Sequence, residues 1–198
     1  GFLTGRYQQR VGGLECAIGV GNVGRYDEAE WLSNRGELGL PVSETSIARM
    51  LSGGGYATCC SGKWHLGYTD RFSPNAHGFD EYFGILGGNA DYFTHREEDG
   101  TNVLYHNGKP VEREGHATDL IADHAIGWLK KHQSYTPDKP FFMYFATGGG
   151  HGPHHVAPEW TAKYKNKFND GYEAMRERIL KRQKEAGWVP QATEMTQR

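Results

Sequence analysis

Residues 140–147, Pro-Phe-Phe-Met-Tyr-Phe-Ala-Thr, are an unbroken apolar run about as long as a β-strand. A strand with one wet face alternates polar and apolar residues, so a run without alternation is expected to be covered on both faces, as in a mainly parallel sheet. Parallel strands need long crossovers, usually helical, and the preceding segment offers one. Thr118 is placed to cap a helix through His132, with Leu120, Ile121, Ala125, Trp128 and Leu129 on one face and Lys130, Lys131 and His132 at its negative end. The same order occurs earlier: Ser43 precedes Ile47, Met50 and Leu51 at helical spacing, Gly53-Gly54-Gly55 ends that helix, and Tyr56–Cys60 reads as a short buried strand. Helix, strand and loop, repeated, define an α/β chain. Val103–Val111 reads as a hairpin, because Asn107-Gly108 supplies the two positive-φ residues of a type I′ turn. Residues 1–40 are Gly-broken surface loop after a helix end.

Composition narrows the classes. The 198 residues carry 22 Lys plus Arg against 24 Asp plus Glu, a formal charge of −2, which argues against a nucleic-acid partner or a membrane surface bound by net charge. Nothing approaches the roughly 18 consecutive apolar residues of a membrane span. With 5 Trp, 11 Tyr and 9 Phe there are large side chains for one core, while 28 Gly make the chain rich in loops. Cys16, Cys59 and Cys60 form no CxxC and no disulfide framework, so they read as buried thiols. The chain starts at Gly1 without a leader pattern and ends in a polar, unpatterned tail, as expected of an interior piece of a longer protein. From Thr161 to Gly187, eight Lys or Arg and four Asp or Glu surround a thin stripe of Tyr172, Met175 and Ile179, with Glu177 and Lys181 four apart. This is expected to be a peripheral, solvated helix packed by one edge on the sheet domain.

Two loops follow the two expected strands. The first holds Lys63 and His65 within Ser61-Gly62-Lys63-Trp64-His65-Leu66-Gly67; the second holds His151, His154 and His155. Ligands of α/β sheets gather outside the carboxyl ends of the strands. A fixed cation and a proton-transfer group two residues apart on a Gly-hinged loop suit an oxyanion ester, whose spread negative charge must be held while oxygens gain or lose protons.

Gly55-Tyr56-Ala57-Thr58-Cys59-Cys60-Ser61-Gly62-Lys63-Trp64-His65-Leu66-Gly67 resembles the second signature of the sulfatase family, GY-x-T-x-x-x-GKWHLG. Gly1–Tyr7 resembles the end of that family's first signature. His77-Gly78-Phe79-Asp80 with Tyr82-Phe83-Gly84 is similar to its HGFD-x-x-FG segment, Asp91-Tyr92-Phe93-Thr94-His95 to a stretch of N-acetylgalactosamine-4-sulfatase-like members, and Pro140–Pro153 to its PFFLYLAF-x-x-PH-x-P strand and loop. The tail from His154 onward is similar to bacterial arylsulfatases, so the resemblance covers nearly the whole chain.

The resemblance implies an alkaline-phosphatase-like fold, a mainly parallel sheet flanked by helices, of which residues 1–198 are the central part of one catalytic domain. It implies a sulfuric ester hydrolase, with Lys63 on the sulfate and nucleophile, His65 on the nucleophile's proton, and His151 on the sulfate and leaving-group side. Asp91, His95 and Arg96 are candidate substrate contacts. The implied nucleophile is a formylglycine made from a Cys or Ser upstream of Gly1, and the implied cation is Ca²⁺; no metal ligand is assigned within the chain, since Asp91, Asp119 and Asp123 do not match the family's carboxylate positions. Taken alone the chain is expected to be inactive. Arg6 and Arg10 read as salt-bridging. His77, His106, His116, His124 and His132 are left without a role. The expected substrate is a sulfated small molecule or carbohydrate, and the expected compartment periplasmic or extracellular. Two other readings stay open: a phosphatase, phosphodiesterase or phosphonate hydrolase of the same superfamily, and a metal-binding module on His151, His154 and His155.

Overall fold

The computed structural model describes residues 1–7, 10 and 27–197; for 27–30 only the backbone is described. Cys16 therefore lies outside the described residues. Contacts divide the chain into a unit of Gly1–His155 and a unit of Val156–Arg198.

In the first unit the elements are α1 (Asp27–Asn34), α2 (Ile47–Gly53), β1 (Ala57–Gly62), β2 (Glu81–Ile85), β3 (Leu104–His106), β4 (Lys109–Pro110), α3 (Ala117–Tyr135) and β5 (Phe141–Ala146). They build one sheet in the order β4-β3-β2-β1-β5, with β1 parallel to both β2 and β5 and the β3-β4 hairpin antiparallel at the far side. Asn107 and Gly108 turn that hairpin with φ of 47° and 77°, the positive values its tight turn demands.

Strand alternation deals the side chains to two cores. Cys60 and Tyr82 join Ala48 of α2, Trp64 and Phe79 on one side; Phe83 and Ile85 join Ala117 and Ile121 of α3 on the other. Burial of the thiols is as read from composition: it pushes the Cys59 thiol up to about 12 and Cys60 well above its ordinary value.

Both helix starts differ from the sequence expectation, and for tertiary reasons. The cap of α2 is Ser46, not Ser43: its Oγ accepts from Arg49 N at 3.0 Å and donates to the His77 carbonyl. Helix α3 is capped by His116 rather than Thr118, with Nδ1 accepting from Thr118 N at 3.2 Å and Nε2 donating to the His155 carbonyl at 3.1 Å. Strand β5 pairs only with β1 among the described residues, so it is an edge; Phe141 and Phe145 stay about half exposed and the expected cover on both faces is not seen.

The His77–Asp80 segment clamps β1 to β2. Thr58 N donates to Asp80 Oδ2 at 3.0 Å, and Asp80 N lies 2.9 Å from Thr58 Oγ1 and 3.0 Å from its carbonyl. Gly78, at φ 94°, has no room for a Cβ against the Arg49 backbone.

The second unit holds α4 (Pro158–Ala162) and α5 (Gly171–Glu185), so the expected continuous helix is broken between them, where Asn166 and Gly171 take φ of 63° and 82°. Ion pairs hold its surface: Arg178 with Asp170, Arg176 with Glu173 at 3.0 Å, and Lys181 with Glu185 at 3.9 Å rather than with Glu177.

Candidate active site

Lys63 follows the last residue of β1. Its backbone N–H donates to the Ala146 carbonyl at 2.7 Å, which ties the loop to the end of β5, and the next two amides continue the pattern onto the exit of β2: Trp64 N to Ile85 O at 2.9 Å and His65 N to Leu86 O at 3.0 Å. The strands approach closely here because two glycines allow it. A methyl on Gly62 would overlap the Ala146 carbonyl oxygen, and one on Gly84 would overlap that of Gly62. Burial lowers the Lys63 ammonium below its usual range, and among the described residues no carboxylate takes it up in a salt bridge. Such an ammonium is short of counter-charge and suited to an anion.

His65 sits in the left-handed region at φ 59°, and Gly88 leaves the space its imidazole fills, since a methyl there would overlap the ring. A non-glycine residue held at positive φ by backbone bonds on both sides of the sheet end is an over-determined position of the kind found at functional sites.

His151 leaves β5, whose Ala146 is register partner to Gly62 of β1. The two loops that hold Lys63, His65 and His151 thus emerge from paired ends of adjacent parallel strands. The His151 loop is exposed and lightly held: His151 N donates to Gly148 O at 3.2 Å, His151 Nδ1 donates to the Gly152 carbonyl at 2.8 Å, and the Tyr92 hydroxyl donates to the Gly148 carbonyl.

The 91–96 segment is joined to the second loop, but its three candidates differ in what they face. Asp91 Oδ1 accepts from Phe93 N and Thr94 N at 2.8 Å each, and these amides hold its carboxyl below the usual range; Oδ2 lies 3.4 Å from His155 Nδ1. His95 is buried and gives Nε2–H to Gly115 O at 3.0 Å, so it holds a loop together. Arg96 pairs with Glu112 at 2.7 Å. Arg6 meets Glu44 at 3.3 Å, the ion pair expected of it. Besides Asp91 at His155, Tyr92 links the segment to the His151 loop and was passed over in the sequence; its signal was a large polar-tipped aromatic between two candidates.

Of the described residues, the metal-ligating donors that converge are Glu81, His106 and His124, within 4.8 Å of one another. Two imidazoles and one carboxylate are not a Ca²⁺ set, which takes six to eight oxygens, and Asp119 and Asp123 lie outside this group. Neither described cysteine fits the precursor of an exposed nucleophile, both being buried with raised thiols.

The Sulfatase family profile matches residues 1–196, and the chain belongs to that family. It is 28% identical to the arylsulfatase of Klebsiella aerogenes over 190 residues, 91% of this chain and 38% of that one, and 30% identical over 160 residues to an uncharacterized sulfatase of Schizosaccharomyces pombe, covering 74% and 28%. Among solved structures it superimposes on Ps i-CgsB in complex with a neocarrahexaose with a TM-score of 0.67 and 28% identity, covering 83% of this chain and 36% of that one. A second, bound to its substrate D-glucosamine-2-N,6-O-disulfate, gives a TM-score of 0.52 at 26% identity, over 66% of this chain and 24% of the other. The chain spans about a third of the length of the relatives it matches. Its sheet, three parallel strands and an antiparallel hairpin with helices on both faces, agrees with the expected alkaline-phosphatase-like architecture.

Proposed function

We propose that this chain supplies part of the sulfate site of a sulfuric ester hydrolase. One observation carries the reading: Lys63 and His65 follow β1 and His151 follows β5 at ends paired through Gly62 and Ala146. Hydrolysis of a sulfate ester breaks a sulfur–oxygen bond, adds the elements of water, and leaves an alcohol and sulfate. Lys63 holds negative charge on the sulfate oxygens, which grows toward the transition state, and its half-buried setting strengthens that attraction. His65 takes the proton from the attacking oxygen, and His151 gives a proton to the departing ester oxygen. An exposed His151 suits the leaving-group side, where alcohols of differing shape must fit and leave.

No step is assigned to Ca²⁺ or to formylglycine, because the described residues do not fit either; both belong, in this reading, to the remainder of a longer protein. The isolated chain is therefore expected to be silent. A sulfated carbohydrate or small molecule is the proposed substrate class, supported by the relative bound to a disulfated glucosamine. A periplasmic or extracellular setting is proposed from the resemblance alone.

The test compares an aryl sulfate with an aryl phosphate of the same leaving group, using the longer, formylglycine-competent protein that carries this chain. Turnover of the sulfate, with Lys63→Ala and His151→Ala each lowering it by orders of magnitude in a folded protein, is the expected result. Turnover of phosphate alone would instead favour a phosphatase of the same superfamily, and near-normal activity in either variant would remove that residue from the site.

A further inference from the structure

Three side chains left without a role converge on the α3 side of the sheet. Glu81 opens β2, His106 closes β3, and His124 faces them from α3. His106 Nε2 lies 2.7 Å and His124 Nε2 3.4 Å from the same oxygen, Glu81 Oε1. The other oxygen, Oε2, accepts from Asn107 Nδ2 at 3.0 Å, so the carboxylate is held with Oε1 toward the two imidazoles. Phe83 lies against both rings, stacked on His124 at 4.9 Å and edge-on to His106 at 6.0 Å, an apolar floor that fixes their planes.

Hydrogen accounting around Ser61 sets the tautomer of His124. The Ser61 hydroxyl has one proton and donates it to the Ile121 carbonyl at 2.9 Å, so toward His124 Nδ1, 3.0 Å away, it can only accept. Nδ1 therefore carries a proton. In the neutral ring the lone pair is then on Nε2 and faces the Glu81 oxygen that His106 Nε2 also approaches, an electron-rich pair that a proton or a metal ion can join. A ligating histidine whose other nitrogen donates to a fixed oxygen is the usual arrangement at metal centres. Zinc bonds of about 2.0–2.1 Å place tetrahedral neighbours about 3.3 Å apart, close to the 3.4 Å seen for His124 and reached by His106 with a shift of about half an ångström.

We propose that Glu81, His106 and His124 bind one zinc-like divalent transition-metal ion, separate from the sulfate site and clamping the β2-β3 strands to α3. Two imidazoles, one carboxylate and a water on the partly open His106 side complete a four-coordinate Zn²⁺ shell. The site owes nothing to the sulfatase reading, and its test does not depend on activity.

The full chain, stripped with chelator, is titrated with Zn²⁺ by calorimetry near pH 7.5 and with Co²⁺ by visible absorption. The expected result is one ion per chain, the intense visible bands of tetrahedral Co²⁺, binding at least about a hundredfold weaker in His106→Ala, and unchanged binding in His151→Ala. His106 is chosen because it is the most exposed of the three, and folding of the variant is checked by circular dichroism. Histidine nitrogen NMR of the unaltered chain provides a readout free of substitution: Nε2 of both His106 and His124 shifts on adding Zn²⁺. No stoichiometric binding, binding lost with His151 instead of His106, or unmoved His106 and His124 resonances would each overturn the proposal, the last even if His106→Ala failed to fold.

Discussion

The loops after β1 and β5 leave neighbouring strands yet are built in opposite ways. The first is tied by consecutive amides, Lys63, Trp64 and His65, to carbonyls of Ala146, Ile85 and Leu86, and Leu40 N reaches back to Leu66 O at 2.8 Å. The second rests on local turns, the Tyr92 hydroxyl and, at its far end, the contacts of His155 with His116 and Asp91, with His151 and His154 exposed. The difference follows from sheet position. Among the described residues, strand β1 has partners on both sides and its exit is enclosed by theirs, whereas β5 has one. In the proposed roles, a fixed cation gains from rigidity, because charge stabilisation depends on donors already in place, and a group serving varied leaving alcohols gains from room.

Glycines offer the sharpest way to break this comparison. Gly62→Ala adds a methyl into the Ala146 carbonyl at a φ of 131°, and strain plus overpacking should cost about 4 kcal/mol or more. The same change at Gly149, where the nearest atom to a new Cβ is Thr147 Oγ1 at 3.8 Å, should stay within about 0.5 kcal/mol. Urea denaturation of the two variants measures both, and equal losses would erase the contrast between the loops. Next in size, Lys63→Ala should cut aryl sulfate turnover in the longer protein about 10²–10³-fold, read as kcat at saturating substrate.

A smaller effect should separate the holding bond from the chemistry. Tyr92→Phe removes one hydrogen bond, worth about 1 kcal/mol, and hydrogen exchange should accelerate at residues 148–155 while the 62–67 amides keep their protection. Protonation sharpens the contrast further. In the proposed site Lys63 holds sulfate only as its ammonium, and burial lowers its pKa from the ordinary 10.5; activity should therefore fall as pH rises through a value below 10.5. Lys63→Arg, which keeps its charge at such pH, should lose that alkaline limb. The smallest expected signal is none at all: buried Cys59 and Cys60 should resist iodoacetamide in the folded chain, checked by peptide mass mapping.

What the sequence made legible was local. Asn107-Gly108 dictates its own turn, and the Gly62–Gly67 loop declares itself because glycines at fixed spacing are what a crowded strand end requires. What stayed hidden depended on partners far along the chain. Ser43 and Ser46 are equal as caps until the His77 carbonyl, 31 residues on, selects Ser46. His116 displaces Thr118 because His155, 39 residues away, accepts from its other nitrogen. The Glu81, His106 and His124 group draws on three elements and has no linear pattern to find. The apolar run at 140–147 predicted a strand correctly, but apolarity does not say how many neighbours the strand has.

The Thr58 and Asp80 bonds carry a consequence for how the sheet is assembled. Neighbouring residues Tyr82 and Phe83 belong to opposite cores, so a slip of one residue between β1 and β2 would exchange two side chains of different size between cores shaped for each. Backbone ladders alone tolerate such slips, since every rung resembles the next. The side chains of Thr58 and Asp80, each bonding the other's amide where the β1-β2 pairing begins, break that degeneracy. In the language of assembly, Thr58 and Asp80 are a key that admits one alignment and rejects its neighbours.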